Sequence, residues 1–191
     1  NAGYGLYGPV EDLSMEKAQQ QFEVNVYGVA RLTKKVLPYM RQQKDGLIIN
    51  TSSMGGKIYT PLGAWYHASK HAIEGFSDCL RMEVKEFGIK VVVLEPGAIN
   101  TGFNAAVGQN FSHESKNGAY SRLVNAYIKA MENNPAPGSK PEVISRTVLK
   151  IINARNPKTR YLVGRGAKLL VGIRRIFGDK FFDRMMLMTF R

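Results

Sequence analysis

Cysteine is almost absent: Cys79 is the only one in 191 residues. An internal disulfide framework is therefore excluded, and a lone thiol fits a reducing, cytoplasmic compartment. The surrounding helical pattern makes Cys79 an expected small buried hydrophobe. Histidines number three, His67, His71 and His113. His67 and His71 are four residues apart and form a conceivable metal pair, but no third ligand accompanies them. Surface or substrate-proximal side chains are the favoured reading, and no metal is expected. No run of 18 apolar residues occurs, so no single helix is expected to cross a membrane. No signal-peptide pattern opens the chain. Internal repeats and low-complexity linkers are also missing.

Hydrophobic residues make up 44% of the chain, enough for the core of one ordinary domain. Gly46 and then Leu47-Ile48-Ile49-Asn50-Thr51-Ser52-Ser53 read as a buried strand over 47–52 ending in hydroxyls. Residues 89–95 form a second β-branched strand, stopped by Pro96-Gly97. Helices are predicted over 14–43, bent near Gly28 and Pro38, and over 64–87, 119–133 and 141–154. A mobile loop is expected at 102–118, a strand at 160–163, and a helical tail after it. Short apolar strands alternating with long helices indicate an α/β fold, a doubly wound parallel sheet covered on both faces. In such sheets chemistry gathers at the carboxyl ends of the strands, where Ser53 and Pro96-Gly97 fall.

Tyr66 and Lys70 lie four residues apart, and Ser53 precedes the tyrosine by thirteen. On a helix, a spacing of four puts phenol and ammonium on one face. A free phenol has a pKa of about 10 and is a poor base near neutral pH. A cation within a few ångströms favours the phenolate, so Lys70 is expected to lower the pKa of Tyr66. A serine hydroxyl beside the phenol can hold a carbonyl or alkoxide oxygen. Together these groups suit proton transfer to or from an alcohol oxygen. Ser52 is the rival to Ser53, and the thirteen-residue separation favours Ser53. A Tyr/Lys pair at this spacing also arises on many helices without function.

With these motifs in view, the chain resembles the short-chain dehydrogenase/reductase family, in its hydroxysteroid and retinol dehydrogenase-like branch. Asn1-Ala2-Gly3 matches that family's Asn-Ala-Gly stretch. Asn25, Ser53, Tyr66 and Lys70 match its catalytic tetrad. Pro96-Gly97-Ala98-Ile99-Asn100-Thr101 matches the segment beside the nicotinamide, and Arg160 to Gly164 resembles the last strand. The resemblance implies a Rossmann-type fold, NAD or NADP as cofactor, and hydride transfer between a nicotinamide and a carbinol carbon. It implies that Asn1, Ala2, Gly3, Tyr66, Lys70, Pro96, Gly97, Ile99 and Thr101 contact the cofactor. It further implies a proton relay, with Asn25 holding a water toward Lys70, although a helix asparagine can equally satisfy nearby backbone. Pro96-Gly97 has a plain alternative as a strand-ending turn.

A glycine-rich phosphate loop is the family feature not found. Gly3, Gly5 and Gly8 spell the right pattern, but no strand precedes them and Glu11-Asp12 follow. A fingerprint must follow a strand and open a helix. The segment reads instead as a loop leading to a helix capped by Ser14. The sequence is thus expected to begin partway through a domain: 1–164 would be a dehydrogenase domain lacking its first strands. The choice between NAD and NADP would lie in the absent portion.

Residues 140–191 carry 13 Lys/Arg against 3 Asp/Glu, so nearly all of the net +12 sits there. Apolar Leu169, Ile173, Ile176, Phe177, Phe181 and Met185 interleave with Lys168, Arg174, Arg175, Lys180 and Arg184. Residues 165–191 are predicted as a basic amphipathic helix pair packed on the same domain. Peripheral contact of 166–191 with an anionic membrane is one reading; packing on the domain or a partner subunit, with solvated charges, is the other. No nucleic-acid reading module accompanies the basic tail, so nucleic acid is not an expected partner. Phe103, Phe111, Tyr120, Leu123 and Tyr127 lie where the family covers its substrate. They suit a bulky apolar alcohol or ketone, such as a steroid, retinoid or other lipid, and equally suit closing the core. Phe103 is the substrate-contact candidate, with Ser53 and Tyr66. The resemblance also implies a homo-oligomer pairing through 14–43 and 64–87. A catalytically idle scaffold, or a membrane-surface module that keeps the fold, is the alternative function.

Overall fold

A computed structural model describes residues 1–103, 107, 113–132 and 138–190. The glycine-containing start, residues 1–7, has no regular structure and leads to Ser14, whose hydroxyl accepts from Lys17 N at 3.4 Å. That cap opens α1 (Met15–Phe22). A wide π turn, Glu23–Tyr27, separates it from α2 (Gly28–Gln43). The irregularity expected near Gly28 and Pro38 therefore lies just ahead of both. Gly28 has helical dihedrals, and α2 runs through Pro38. The cause is Asn25, which turns inward to bond Tyr4 and Ser69; a π turn re-aims one side chain without ending the helix.

β1 (Gly46–Thr51) leads through a 3₁₀ turn at Met54–Gly56 to α3 (Ala64–Glu83). Helix α3 stops four residues before the expected end, and a separate 3₁₀ turn covers Lys85–Phe87. Gly88, at φ 73°, then reverses the chain into β2 (Ile89–Pro96). A short helix α4 (His113–Asn117) occupies part of the expected loop at 102–118. α5 (Ser121–Glu132), α6 (Glu142–Ile152) and β3 (Arg160–Val163) follow, then α7 (Ala167–Thr189). Gly178 inside α7 has φ 73° and ψ 179°, which breaks it into two segments. Phe111 lies outside the described residues.

The described sheet is parallel, in the order β1-β2-β3. Thr51 pairs with Leu94, and Ser52 N donates to Leu94 O at 2.8 Å. This register brings Ser53 level with Pro96 at the carboxyl ends. Val91 to Leu94 are at most 2% exposed, as both faces of β2 are covered. Burying each contributes about 1.5–3 kcal/mol. Among the described residues, no helix is long and apolar enough to cross a membrane. The tail packs through Phe182 and Met186 against Ile58. Cys79 departs from expectation and is exposed, because α3 turns Ser77 and Leu80, not Cys79, toward the interior.

Candidate active site

Helix α3 carries Tyr66 and Lys70 on its buried side, and both are under 10% exposed. The ammonium of Lys70 donates to Thr51 O at 3.0 Å. Ser53 sits at the tip of β1, with Oγ accepting from Gly55 N at 3.0 Å and facing Pro96 O at 3.4 Å. The Ser53 hydroxyl also lies close enough to the Tyr66 phenol to favour its ionised form. Ser52 points elsewhere: its hydroxyl lies 3.4 Å from Lys70 O, beneath the helix.

Charge within this group differs from the expectation. Burial pushes the Tyr66 phenol above its usual value, and only the Ser53 hydroxyl pulls it down. Lys70 was expected to make Tyr66 more acidic, but desolvation of the ring prevails while the ammonium is turned to Thr51 O. Lys70 itself falls to about 8, through desolvation opposed by the Glu74 carboxylate.

Asn25 is fully enclosed. Its amide nitrogen donates to Tyr4 O at 2.9 Å and to Ser69 Oγ at 3.0 Å, and its oxygen accepts from Tyr4 N at 3.0 Å. These bonds fix the loop after Gly3. A Cβ at Gly3 would lie 3.1 Å from Asn25 Oδ1 and 3.5 Å from Lys70 Nζ. Gly3, Asn25 and Lys70 thus meet at one point, whereas Asn1 and Ala2 are exposed and border an apolar groove with Val24, Val29 and Leu32. Gly97 has a packing reason of its own, since a Cβ there would strike Arg165 O at 2.5 Å. Ile99 bridges to Ser139, and its side chain lies over Gly164. Thr101 is exposed, and its hydroxyl accepts from Phe103 N at 3.3 Å within its own loop.

Aromatic rings close over Tyr66. Phe103 and Tyr7 lie 5.5 and 5.6 Å from it, centroid to centroid. Tyr127 stacks on Phe190 at 5.0 Å and packs against Tyr7 at 5.8 Å. Tyr120 faces outward and bonds Glu11. The sequence reading missed Tyr7; its only signal was an aromatic in a glycine-rich loop. It also missed Glu74 and Glu95, although a carboxylate after four apolar strand residues is such a signal. His67 is buried beside Tyr66, whereas His71 is exposed. No cluster of three metal-ligating side chains occurs among the described residues.

Residues 1–111 match the family model described as short chain dehydrogenase. The chain belongs to the short-chain dehydrogenase family. Among its relatives, the uncharacterized oxidoreductase YusZ of Bacillus subtilis is 36% identical over 179 residues, which is 93% of this chain and 64% of YusZ. The 3-ketodihydrosphingosine reductase of Bacteroides thetaiotaomicron is 38% identical over 165 residues, covering 86% of this chain and 61% of the relative. A short-chain dehydrogenase from Streptomyces avermitilis superposes with TM-score 0.74 at 29% identity, covering 90% of this chain and 62% of that one. The chain spans less than two thirds of the length of these relatives. The parallel sheet with its flanking helices is the Rossmann-like fold of that family.

Proposed function

We propose that this chain is part of an NAD(P)-dependent oxidoreductase that interconverts an alcohol and a carbonyl, with Tyr66 as the acid/base group. The observation that carries this reading is the Ser53–Tyr66 hydroxyl pair at the carboxyl end of the sheet, one helical turn from Lys70. Ser53 holds the substrate oxygen and stabilises negative charge developing on it. Tyr66 passes a proton to that oxygen in reduction and takes it back in oxidation. Lys70, one turn further along α3, holds its ammonium at Thr51 O and beside Gly3, where it can bind the cofactor.

The residues present suit a nicotinamide nucleotide. At Gly3 the missing side chain leaves an amide oxygen and an ammonium together, a donor and acceptor set matched to ribose hydroxyls. Lys70, Tyr66, Gly3 and the 96–101 segment, with Pro96, Gly97, Ile99 and Thr101, would hold it; Asn1 and Ala2 would border it. When bound, the nicotinamide supplies the hydride acceptor or donor. Solved relatives are described in complex with NADP or with NAD.

The substrate in this reading is bulky and apolar: a steroid, retinoid or other lipid. Support comes from the ring cluster of Tyr7, Phe103 and Tyr127 around Tyr66, and from the 38% identity to a protein named as a 3-ketodihydrosphingosine reductase. The same apolar theme favours the hydroxysteroid and retinol dehydrogenase-like branch. A homo-oligomer is proposed through α2 and α3, where Leu32, Tyr39 and Met82 are more than 60% exposed. Peripheral contact with an anionic lipid surface is proposed for residues 166–191. Asp179 and Asp183 are engaged by the Tyr59 hydroxyl, while Phe177, Phe181 and Met188 stay exposed among Arg175, Lys180 and Arg184.

The test is nicotinamide oxidation and reduction by the full native protein with a panel of lipid alcohols and ketones, against Tyr66→Phe. Turnover is expected only with the phenol hydroxyl present. Equal rates in both proteins remove Tyr66 from the mechanism, and no turnover with any member of the panel favours the idle scaffold.

A further inference from the structure

His67 is buried, yet the reaction outlined above does not use it. Its ring is held on every side. Nδ1 lies 2.9 Å from Gly55 O, so it donates there. Nε2 therefore accepts, and Thr60 N donates to it at 3.0 Å; the Thr60 hydroxyl lies at 3.1 Å. Both nitrogens are satisfied by one neutral tautomer, protonated at Nδ1. The socket is shaped by two glycines. A Cβ at Gly55 would lie 2.9 Å from Nδ1, and a Cβ at Gly63 would lie 2.7 Å from Cδ2. Neither position tolerates a side chain while the ring is in place. Tyr7 meets the imidazole edge-on at 6.2 Å, and Tyr66 lies at 5.5 Å.

Gly55 joins this ring to the chemistry. Its carbonyl receives the His67 proton, and its own N–H donates to Ser53 Oγ. Ser53 Oγ in turn lies beside the Tyr66 phenol, whose ionised form it favours. Two hydrogen bonds thus run from imidazole through the Gly55 peptide to the serine, whose hydroxyl sits beside the phenol; both bonds meet at the turn Met54–Gly56. A short turn rich in glycine has little stiffness of its own, so an outside anchor is needed to aim a hydroxyl.

We propose that His67 is a positioning residue: its Nδ1–H grips Gly55 O and thereby aims the Ser53 hydroxyl at the Tyr66 phenol. This rests on the oxidoreductase reading for its effect on rate, though not for the geometry. Burial holds the imidazole down at about 4 against the pull of the Gly55 carbonyl, and the neighbouring His71 and Arg174 also disfavour its protonation. Across the ordinary working range the ring stays neutral, and the Thr60 N–H bond to Nε2 is kept.

Two variants separate the two nitrogens. His67→Asn keeps a donor at the Nδ1 position and loses Nε2. His67→Gln keeps an acceptor at the Nε2 position and loses the donor to Gly55. In the full native protein, His67→Asn is expected to retain kcat within about threefold, and His67→Gln to lose about tenfold or more with KM little changed, as a misaimed group costs rate. Matched melting temperatures for the two variants exclude a difference in folding. Equal kcat in both, or a larger loss in His67→Asn, overturns the proposal. Nitrogen-15 NMR of ring-labelled wild type supplies an arm free of turnover. It should show one histidine locked in the Nδ1–H tautomer from pH 8 down to about 5. A ring titrating near the ordinary value of about 6.5 overturns the proposal even where the variants do not fold. Turnover missing from the wild type itself would defeat the oxidoreductase reading, and the NMR result then decides the tautomer and anchor by itself.

Discussion

The carboxyl groups of Glu74 and Glu95 meet inside the fold, one from α3 and one from the tip of β2, and share Lys57 and Arg160. Both are under 5% exposed, and neither Oε1 has a hydrogen-bond partner among the described residues. Lys57 lies 2.9 Å and Arg160 3.1 Å from Glu74 Oε2, and Arg160 also reaches Asp78 at 2.6 Å. These two cations serve both Glu74 and Glu95, while Asp78, itself partly exposed, also pairs with Arg81; desolvation of Glu95 beside the Glu74 charge is what keeps a proton on the pair. The cluster ties α3, β2 and β3 together directly behind Lys70.

Desolvation, and then the charge of Glu74, push Glu95 up from 4.5 to about 7. The folded chain therefore holds a proton between these values that the unfolded chain releases. Stability should fall as pH rises from about 4.5 to about 7 and level off above. Glu95→Gln mimics the protonated form and should remove that decline, worth up to about 3 kcal/mol at pH 8. Urea melts of both proteins across this range check it; parallel curves would show that the pair does not share a proton.

Lys70 supplies a slope of opposite sign at higher pH. Its amine falls from 10.5 to about 8 on folding, chiefly by desolvation. Between about 8 and 10.5 the unfolded chain binds the extra proton, so this group makes stability rise with pH in that window. Lys70→Met should abolish the rise together with turnover. Chemical denaturation at pH 7.5 and 9.5 measures the difference; an unchanged slope in Lys70→Met rejects the assignment.

Gly97→Ala should destabilise by about 1–3 kcal/mol, the usual cost of overpacking, since its Cβ would meet Arg165 O at 2.5 Å and Ala167 Cβ at 2.8 Å. Thermal melts of the protein without nucleotide isolate this packing cost from any effect on binding. A wild-type melting temperature would leave cofactor approach as the sole reason for glycine.

Charge reversal on the tail tests the lipid contact. Arg175→Glu with Lys180→Glu and Arg184→Glu should lower sedimentation with vesicles containing a third phosphatidylserine by about tenfold or more, at about 1 kcal/mol per basic residue. Neutral phosphatidylcholine vesicles serve as the control. Equal pelleting by both proteins would assign the exposed rings to a protein partner.

Cys79 should react fully with a maleimide in the native protein, since it is exposed on α3. Labelling that appears only on unfolding would place another surface over this face of the helix.

Much of the arrangement was readable before any coordinates. Apolar β-branched runs gave β1 and β2, and the hydroxyl and Pro-Gly residues after them marked the functional end of the sheet. The four-residue step from Tyr66 to Lys70 gave their shared face. What stayed hidden depends on distances between segments remote in sequence. Whether Lys70 or burial controls the Tyr66 phenol turns on how tightly Tyr7 and Phe103 cover the ring. The role of Asn25 turns on a π turn, which has no hydropathy signature. The socket of His67 needs Gly55 and Gly63 to approach from both sides, and nothing in the local string around His67 announces that. Cys79 went wrong for a simpler reason: a helix twenty residues long carries its small residues on all sides, and phase alone decides which are covered.

Gly178 gives the outer half of α7 a single pivot. At the far end of that half, Phe190 stacks on Tyr127, whose ring packs on Tyr7 beside Tyr66. Phe182 and Met186 pin the same half onto Ile58, so the tail is seated at its middle as well as at its tip. Removing it would strip the outermost ring from the aromatic stack above the phenol.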